Sequence, residues 1–289
     1  MQQGRSQAYQ VLAIGVVAVS CAAVLIREAD APALVIAAYR LGLAAVPTGA
    51  LALATGRYRI SREGLLVWPF LALHFGFWIA SLQQTSVTTS VVLVTTNPLF
   101  VGLASPFVLR ERVSAATWTG IAIATAGAAL MAAEDVGEGM GTLVGDLYAL
   151  LGAVFGAGYL MMGRLARPRM SWVGYVGTVY PVTAVLLVLA VLVAGEPFTG
   201  YSTKTFVMLG LLALVPQLVG HSAINWSLGY VPAALVAIAI LGEPVGATAL
   251  AVLFLGETPS GLEIAGGLLV LAGVYAALRP GRLLADGSG

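Results

Sequence analysis

Asn97-Pro98 and Glu243-Pro244 each put a polar side chain beside a proline, near the middle of the apolar runs 87–108 and 232–255. Both runs are long enough to cross a bilayer. Proline removes a backbone hydrogen bond and clashes with the preceding turn, so each helix is predicted to bend or break there. Pro98 and Pro244 are therefore candidate hinges. Glu243 is the only carboxylate deep in a predicted span. Ionised in hydrocarbon it would be costly, so it must be protonated, paired or facing water. It reads either as a proton site or ammonium contact, or as a hydrogen-bond partner for the backbone freed by Pro244. Asn97, uncharged at the matching position beside Thr95-Thr96, favours the second reading for its half.

Other polar groups stand at similar depth. His74 has Phe77 at i+3, Trp78 at i+4 and Phe70 one turn back, a stripe that suits either a binding face or a buried core. Gln217, His221 and Asn225 recur every four residues, a polar stripe that should face a wet cavity or a partner helix rather than lipid. Arg40, beside Tyr39, is the sole intramembrane cation. It can hold a substrate carboxylate bidentately, satisfy carbonyls at a broken helix, or snorkel to an interface. Tyr148, Phe155, Tyr159 and Met162 share a face that would floor an apolar pocket or pack against a helix; Trp226 and Tyr180 are weaker candidates. The substrate-binding candidates are His74, Trp78, Phe77, Tyr39, Arg40, Thr95, Asn97, Tyr159, Gln217, His221, Asn225 and Glu243.

These residues need a membrane scaffold to position them. Of 289 residues, 59% are hydrophobic and 9% charged, against about 25% charged in a soluble domain, and mean hydropathy is +0.94. Ten apolar segments follow: 9–26, 34–54, 65–84, 87–108, 115–132, 143–163, 172–194, 206–228, 232–255 and 261–278. The expected fold is an all-α bundle of ten transmembrane helices in two inverted five-helix repeats, 1–136 and 137–289, around a central cavity. One side of the predicted topology holds eleven arginines, at 5, 57, 59, 62, 110, 112, 164, 167, 169, 279 and 282; the other holds only Arg27 and Lys204. Both termini should therefore be cytoplasmic. Acidic Glu28, Asp30, Glu134, Asp135, Glu138 and Glu196 fall on the outer side.

The repeat shows as an offset of 146. Pro98, Leu109, Glu111, Ser114, Gly120, Ala126 and Gly127 pair with Pro244, Leu255, Glu257, Ser260, Gly266, Ala272 and Gly273, seven identities in 34 positions. Pro69/Pro216 and His74/His221 match at 147. Five spans per half is odd, so the halves are predicted to be inverted copies with a site at mid-depth between them. Ser114 and Ser260 should cap the following helices, with Glu111 and Glu257 favouring their positive ends. Gly120, Gly127, Gly266, Gly267 and Gly273 are suited to close helix packing within one chain or between two.

Several classes are disfavoured. Net charge is +1, which gives no field for nucleic acid. Walker, G-x-S-x-G and H-E-x-x-H motifs are absent, and two histidines with one cysteine offer no metal spacing. No enzyme activity and no cofactor are expected. Ala18-Val19-Ser20-Cys21 loosely resembles a lipoprotein cleavage site, but the leucine three residues before the cysteine is missing and cleavage would remove a needed helix. Cys21 reads as a small packed residue.

The chain resembles the drug/metabolite transporter superfamily, in its ten-helix branch of two EamA-type repeats. The likeness is carried by NPLFVGLASPFVLRERVSAATWTGIAIATAGAAL and EPVGATALAVLFLGETPSGLEIAGGLLVLAGVYAAL, and by Arg40 in AAYRLGLAA, where such proteins often have an arginine. LHFGFWIASLQQTSV around His74 resembles the YddG-type exporters of aromatic amino acids. The resemblance implies a secondary transporter of the bacterial-type inner membrane, exporting small metabolites by alternating access. Amino acids with apolar or aromatic side chains are the expected substrates, with membrane lipid and that substrate the only partners, and a monomer the expected state. Rivals are a multidrug cation/proton antiporter, although 9–26 lacks the carboxylate such proteins carry, and a nucleotide-sugar carrier, which needs more cations than Arg40. A membrane scaffold or enzyme stands outside the superfamily.

Overall fold

The computed structural model describes residues 2–85, 87–133, 143–255 and 259–278, all helix and connecting turn. Glu134, Asp135, Glu138, Glu257, Arg279, Arg282 and the side chains of Arg5 and Arg62 lie outside the described residues. The first span is α1 Gln2–Val19 with α2 Ala22–Glu28; the second is α3 Ala33–Ala54 and the third α4 Arg62–Leu82. The fourth is α5 Val87–Val94 with α6 Asn97–Val108, followed by α7 Ala115–Ala132, α8 Leu143–Ala166 and α9 Trp172–Ala194. The eighth combines α10 Thr203–Leu212, a π-helical stretch Ala213–His221 and α11 Ser222–Ser227. The ninth is α12 Ala233–Ile240 with α13 Glu243–Leu255, and the tenth is α14 Gly261–Leu278.

The bundle faces its polar groups inward. Arg40, Gln217, Asn225, His74 and Glu243 are buried, while Val193 and Phe107 are 90% and 85% exposed on the outside. That polarity suits a chain whose solvent is acyl chain. Serine hydroxyls accept from backbone N–H at four helix starts: Ser61 from Gly64, Ser114 from Thr117, Ser171 from Gly174 and Ser202 from Thr205. Each satisfies a donor that the first helical turn leaves free.

Five of the packed span pairs are second with seventh, fourth with ninth, fifth with tenth, third with sixth and first with eighth. Replacing each span by the one five places on returns the same set. The fifth and tenth come backbone to backbone at their glycines. A Cβ on Gly120 would lie 2.7 Å from the Gly273 carbonyl oxygen, and one on Gly127 2.6 Å from that of Gly266. These contacts form within one chain, and any side chain at those positions would force the helices apart.

The interruptions differ in detail from expectation. In the fourth span the break falls at Thr95-Thr96, and in the ninth at Leu241-Gly242, just before each proline rather than on it. Pro98 and Pro244 instead sit in the first turn of α6 and α13, where a missing N–H costs nothing. The backbone tightens there without unwinding, through Thr96 N–H to Leu93 O and Leu241 N–H to Ile238 O. Two interruptions were not legible as such. The first span breaks at Ser20-Cys21, where the Ser20 hydroxyl donates to Val16 O and a Cβ at Gly246 would meet Ser20 Oγ. The eighth widens into the π stretch around Pro216, where the larger turn gives the proline ring room.

Candidate functional site

Arg40 is the centre of the site. It projects from α3, fully buried, and its Nε donates to Gln217 Oε1 at 2.9 Å. Its guanidinium carbon lies 4.1 Å from the centre of the Phe75 ring and 5.8 Å from that of Trp78. Nη1 and Nη2 have no hydrogen-bond partner. A cation held over ring faces with donors to spare is set up to take an anionic group. Full burial removes the snorkelling reading.

Arg40 lines a cavity with His74 and Trp78 from α4, Thr95 and Asn97 at the fourth-span break, and Tyr159 from α8. His221 and Glu243 complete its polar wall; Val19, Val94, Gly156, Leu160, Ile224 and Ile240 form the apolar part. About 40 Å³ is free inside, room for water and far below the roughly 300 Å³ at which small-molecule pockets begin. The space is therefore too tight for a substrate as it stands. Unpartnered buried atoms gather here: Asn97 Oδ1, Trp78 Nε1 and His221 Nδ1 on the wall and Gln217 Nε2 behind it, besides the Arg40 nitrogens. Buried polar atoms are normally satisfied, so this concentration marks a place built for a polar occupant.

A hydrogen-bond chain supports the wall. Asn225 Nδ2 donates to the Tyr180 hydroxyl at 3.2 Å, Tyr180 pairs with Ser222 Oγ at 3.1 Å, and Ser222 Oγ donates to Gln217 O at 3.4 Å. The Tyr159 hydroxyl donates to Asn225 Oδ1 at 2.6 Å. Each member holds the next in orientation. His74 is fixed separately: a carbonyl only accepts, so Nδ1 carries the proton donated to Gly152 O at 2.8 Å. Gly156 makes room for that ring, since a Cβ there would lie 2.8 Å from Nδ1.

Both ends of the bundle are latched by arginines. Arg164 of α8 donates from Nη1 to Leu228 O at 2.8 Å, at the end of the eighth span, and from Nε to Glu111 Oε1 at 2.8 Å. At the other face Arg27 of α2 donates to Leu82 O, at the end of the third span. Lys204 and Glu28 form an exposed ion pair beside it. Glu111 is thus engaged by Arg164 rather than left to the helix that Ser114 caps.

A model of the EamA-like transporter family matches the chain twice, over residues 7–133 and 143–279. The chain belongs to the EamA-like transporter family. It is a multi-pass membrane transporter in the drug/metabolite transporter superfamily, and its relatives bear transporter names. The uncharacterized transporter YdfC of Bacillus subtilis is 24% identical over 208 residues, 71% of this chain and 67% of that protein. An uncharacterized transporter of Clostridium kluyveri is 27% identical over 188 residues, 62% of this chain and 59% of that one. YetK of Bacillus subtilis, also named an uncharacterized transporter, is 30% identical over 92 residues, 31% of this chain and 28% of its own. A solved crystal structure shares the fold at a TM-score of 0.79 and 21% identity, over 98% of this chain and 99% of that one.

Two of the candidates of this EamA-like transporter point elsewhere. Tyr39 donates its hydroxyl to Phe198 O at 2.8 Å and packs edge-on to Phe198 and Phe206. Phe77 stacks on Phe155 at 5.6 Å and meets Tyr148, facing a separate apolar groove between α3, α4, α8 and α9. The predicted sixth-span stripe is thereby divided, with Tyr159 on the cavity wall, Tyr148 on the groove wall and Phe155 stacked on Phe77. Gln217 and Asn225 act behind the cavity wall, through Arg40 and Tyr159. The seventh span reaches the supporting chain through Tyr180 and through Trp172, whose Nε1 donates to Ser222 O at 2.8 Å. Nothing in the sequence marks Phe75 or Ser222 for the site; Phe75 stands next to His74, but on a helix face of its own.

Proposed function

We propose that this transporter exports small zwitterions, amino acids with apolar or aromatic side chains above all, by alternating access between two inverted halves, 1–136 and 137–289. Two features support the inverted halves: the family match falls once in each, and the span pairing survives exchange of one set of five for the other. The distribution of arginines supports placing both termini in the cytoplasm, in a bacterial-type inner membrane. The carrying observation is the fully buried Arg40 with two unpartnered nitrogens in the same cavity as Glu243. A substrate carboxylate would lie on Arg40 and its ammonium on Glu243. Trp78, Tyr159 and His221 would flank the side chain, and Thr95 and Asn97 would add polar contacts. His74 would hold the wall in place. Pro98 and Pro244, at the helix breaks, would serve as hinges.

The tightness of the cavity supports an occluded stage in that cycle. Opening the arginine-rich face would release Arg164 from Leu228 and Glu111; opening the other would release Arg27 from Leu82. One latch holds while its counterpart opens. Glu243 also supports a second reading, a cation/proton exchanger in which substrate and proton compete for one carboxylate. Counterflow into liposomes separates these proposals, using labelled amino acids, amines and nucleotide sugars at two pH values. Exchange of neutral amino acids, with a pH dependence that Glu243→Gln flattens, is the expected result. Exchange of amines alone would overturn the zwitterion reading, and an unaltered pH profile in Glu243→Gln would remove the proton role.

A further inference from the structure

At the arginine-rich end, outside the central site, a pocket of about 500 Å³ opens where the α3–α4 loop, the α8–α9 loop and the end of the eighth span meet. Arg57, Arg167, Ser171, Trp172, Trp226 and Tyr230 are among its walls, and no carboxylate is. A pocket of the same size at the opposite end is lined by Arg27, Glu28, Asp30 and Lys204, and neutralises itself through the Lys204–Glu28 pair. The contrast makes this cup, among the described residues, a cationic one.

Among the described residues, its deeper cation has only neutral partners. Arg167 is 8% exposed, with Nε donating to Asn225 O at 3.0 Å and Nη1 to Met170 O. Burial lowers its proton affinity below that of a free guanidinium. A nearly buried charge without a counter-ion is costly. Nη2 lies against Gly229, where even a Cβ would approach to 3.1 Å, so the glycine leaves this edge uncovered. Arg57 stands exposed across the opening, and its carbonyl is pressed so close to α9 that a Cβ at Gly174 would meet it at 2.6 Å. Trp226 and Tyr230 pack together at 4.5 Å beside the mouth, residue types that settle at headgroup depth.

We propose that this pocket seats the phosphate of an anionic phospholipid, held between Arg167 and Arg57 with its glycerol against Trp226 and Tyr230. Basic pockets between transmembrane helices are suited to such headgroups. An anion there would also brace the eighth span, because Arg167 grips the carbonyl of Asn225, whose side chain anchors Tyr159.

Native mass spectrometry of the full-length protein, titrated with phosphatidylglycerol or phosphatidylcholine, tests this. One phosphatidylglycerol should be retained in preference to phosphatidylcholine. Arg57→Gln, in an exposed loop, should weaken that retention about fivefold. Arg59→Gln, in the same loop but outside the pocket, should leave it unchanged. Arg167→Gln should abolish retention where the variant remains folded by thermal unfolding; Arg57→Gln keeps the test decisive if it does not. Equal retention of the two lipids, or equal effects of Arg57→Gln and Arg59→Gln, would overturn the site. Displacement of the lipid by millimolar inorganic phosphate would assign the pocket to a soluble anion and overturn the lipid.

Discussion

The third and eighth spans carry the same two marks, Pro69 and His74 in one, Pro216 and His221 in the other, yet the structure uses them differently. α4 runs as an α-helix through Pro69, and its histidine is locked to Gly152 O of the neighbouring sixth span. The eighth span opens into a π stretch around Pro216, and its histidine leaves Nδ1 unpartnered in the cavity wall, edge-on to Phe75 at 5.1 Å. π stretches recur at functional positions because the wider turn redirects side chains. Duplicated residues therefore inherit a position in the bundle, while their chemistry comes from local neighbours. Arg40 joins the two spans, resting on Phe75 of the third and donating to Gln217 of the eighth.

The largest expected effect comes from cutting that join. Arg40→Gln should lower stability by about 1–3 kcal/mol, because it leaves the buried Gln217 Oε1 unpartnered, and should abolish amino-acid counterflow in protein that still purifies as a single species. Wild-type exchange by folded Arg40→Gln would break the comparison at its root.

Next come the histidines, taken as a pair. His74→Ala should destabilise the protein by about 1 kcal/mol more than His221→Ala, because only the first loses a hydrogen bond. His221→Ala should lose more counterflow for less stability. Thermal unfolding and transport on both variants, with nitrogen-15 spectra showing a protonated Nδ1 at His74, would sharpen the distinction; identical behaviour would erase it.

The smallest effect concerns the span ends. The Arg164–Glu111 pair is 23% and 25% exposed, so Glu111→Gln should cost at most about 1 kcal/mol. It should nonetheless loosen the latch on the eighth span. The readout is alkylation of an Ile224→Cys label in a Cys21→Ser background, faster from the arginine-rich side than without Glu111→Gln. Unchanged labelling would mean that Leu228 O alone holds Arg164.

Much of the scaffold was legible because its causes are local. Long apolar runs reveal spans, and Asn97-Pro98 and Glu243-Pro244 sit within two residues of the real interruptions. The break at Ser20-Cys21 was hidden, since it depends on a serine back-bonding to Val16 O and nesting against Gly246, a residue in another span. The π stretch was hidden as well, because proline at Pro69 and at Pro216 looks alike from within one helix.

Sequence by itself determined that this protein lives in a membrane, that it crosses ten times, and which polar residues stand at mid-depth, because hydropathy and proline chemistry act over a single helix. Only the tertiary structure decided which of those residues meet. A helix repeat sets the angle between side chains but not the direction the whole helix faces. That rotation comes from packing, through contacts such as Gly120 on Gly273 and Gly156 under His74. It turns Arg40 inward and Tyr39 toward Phe198, though they are neighbours in the chain.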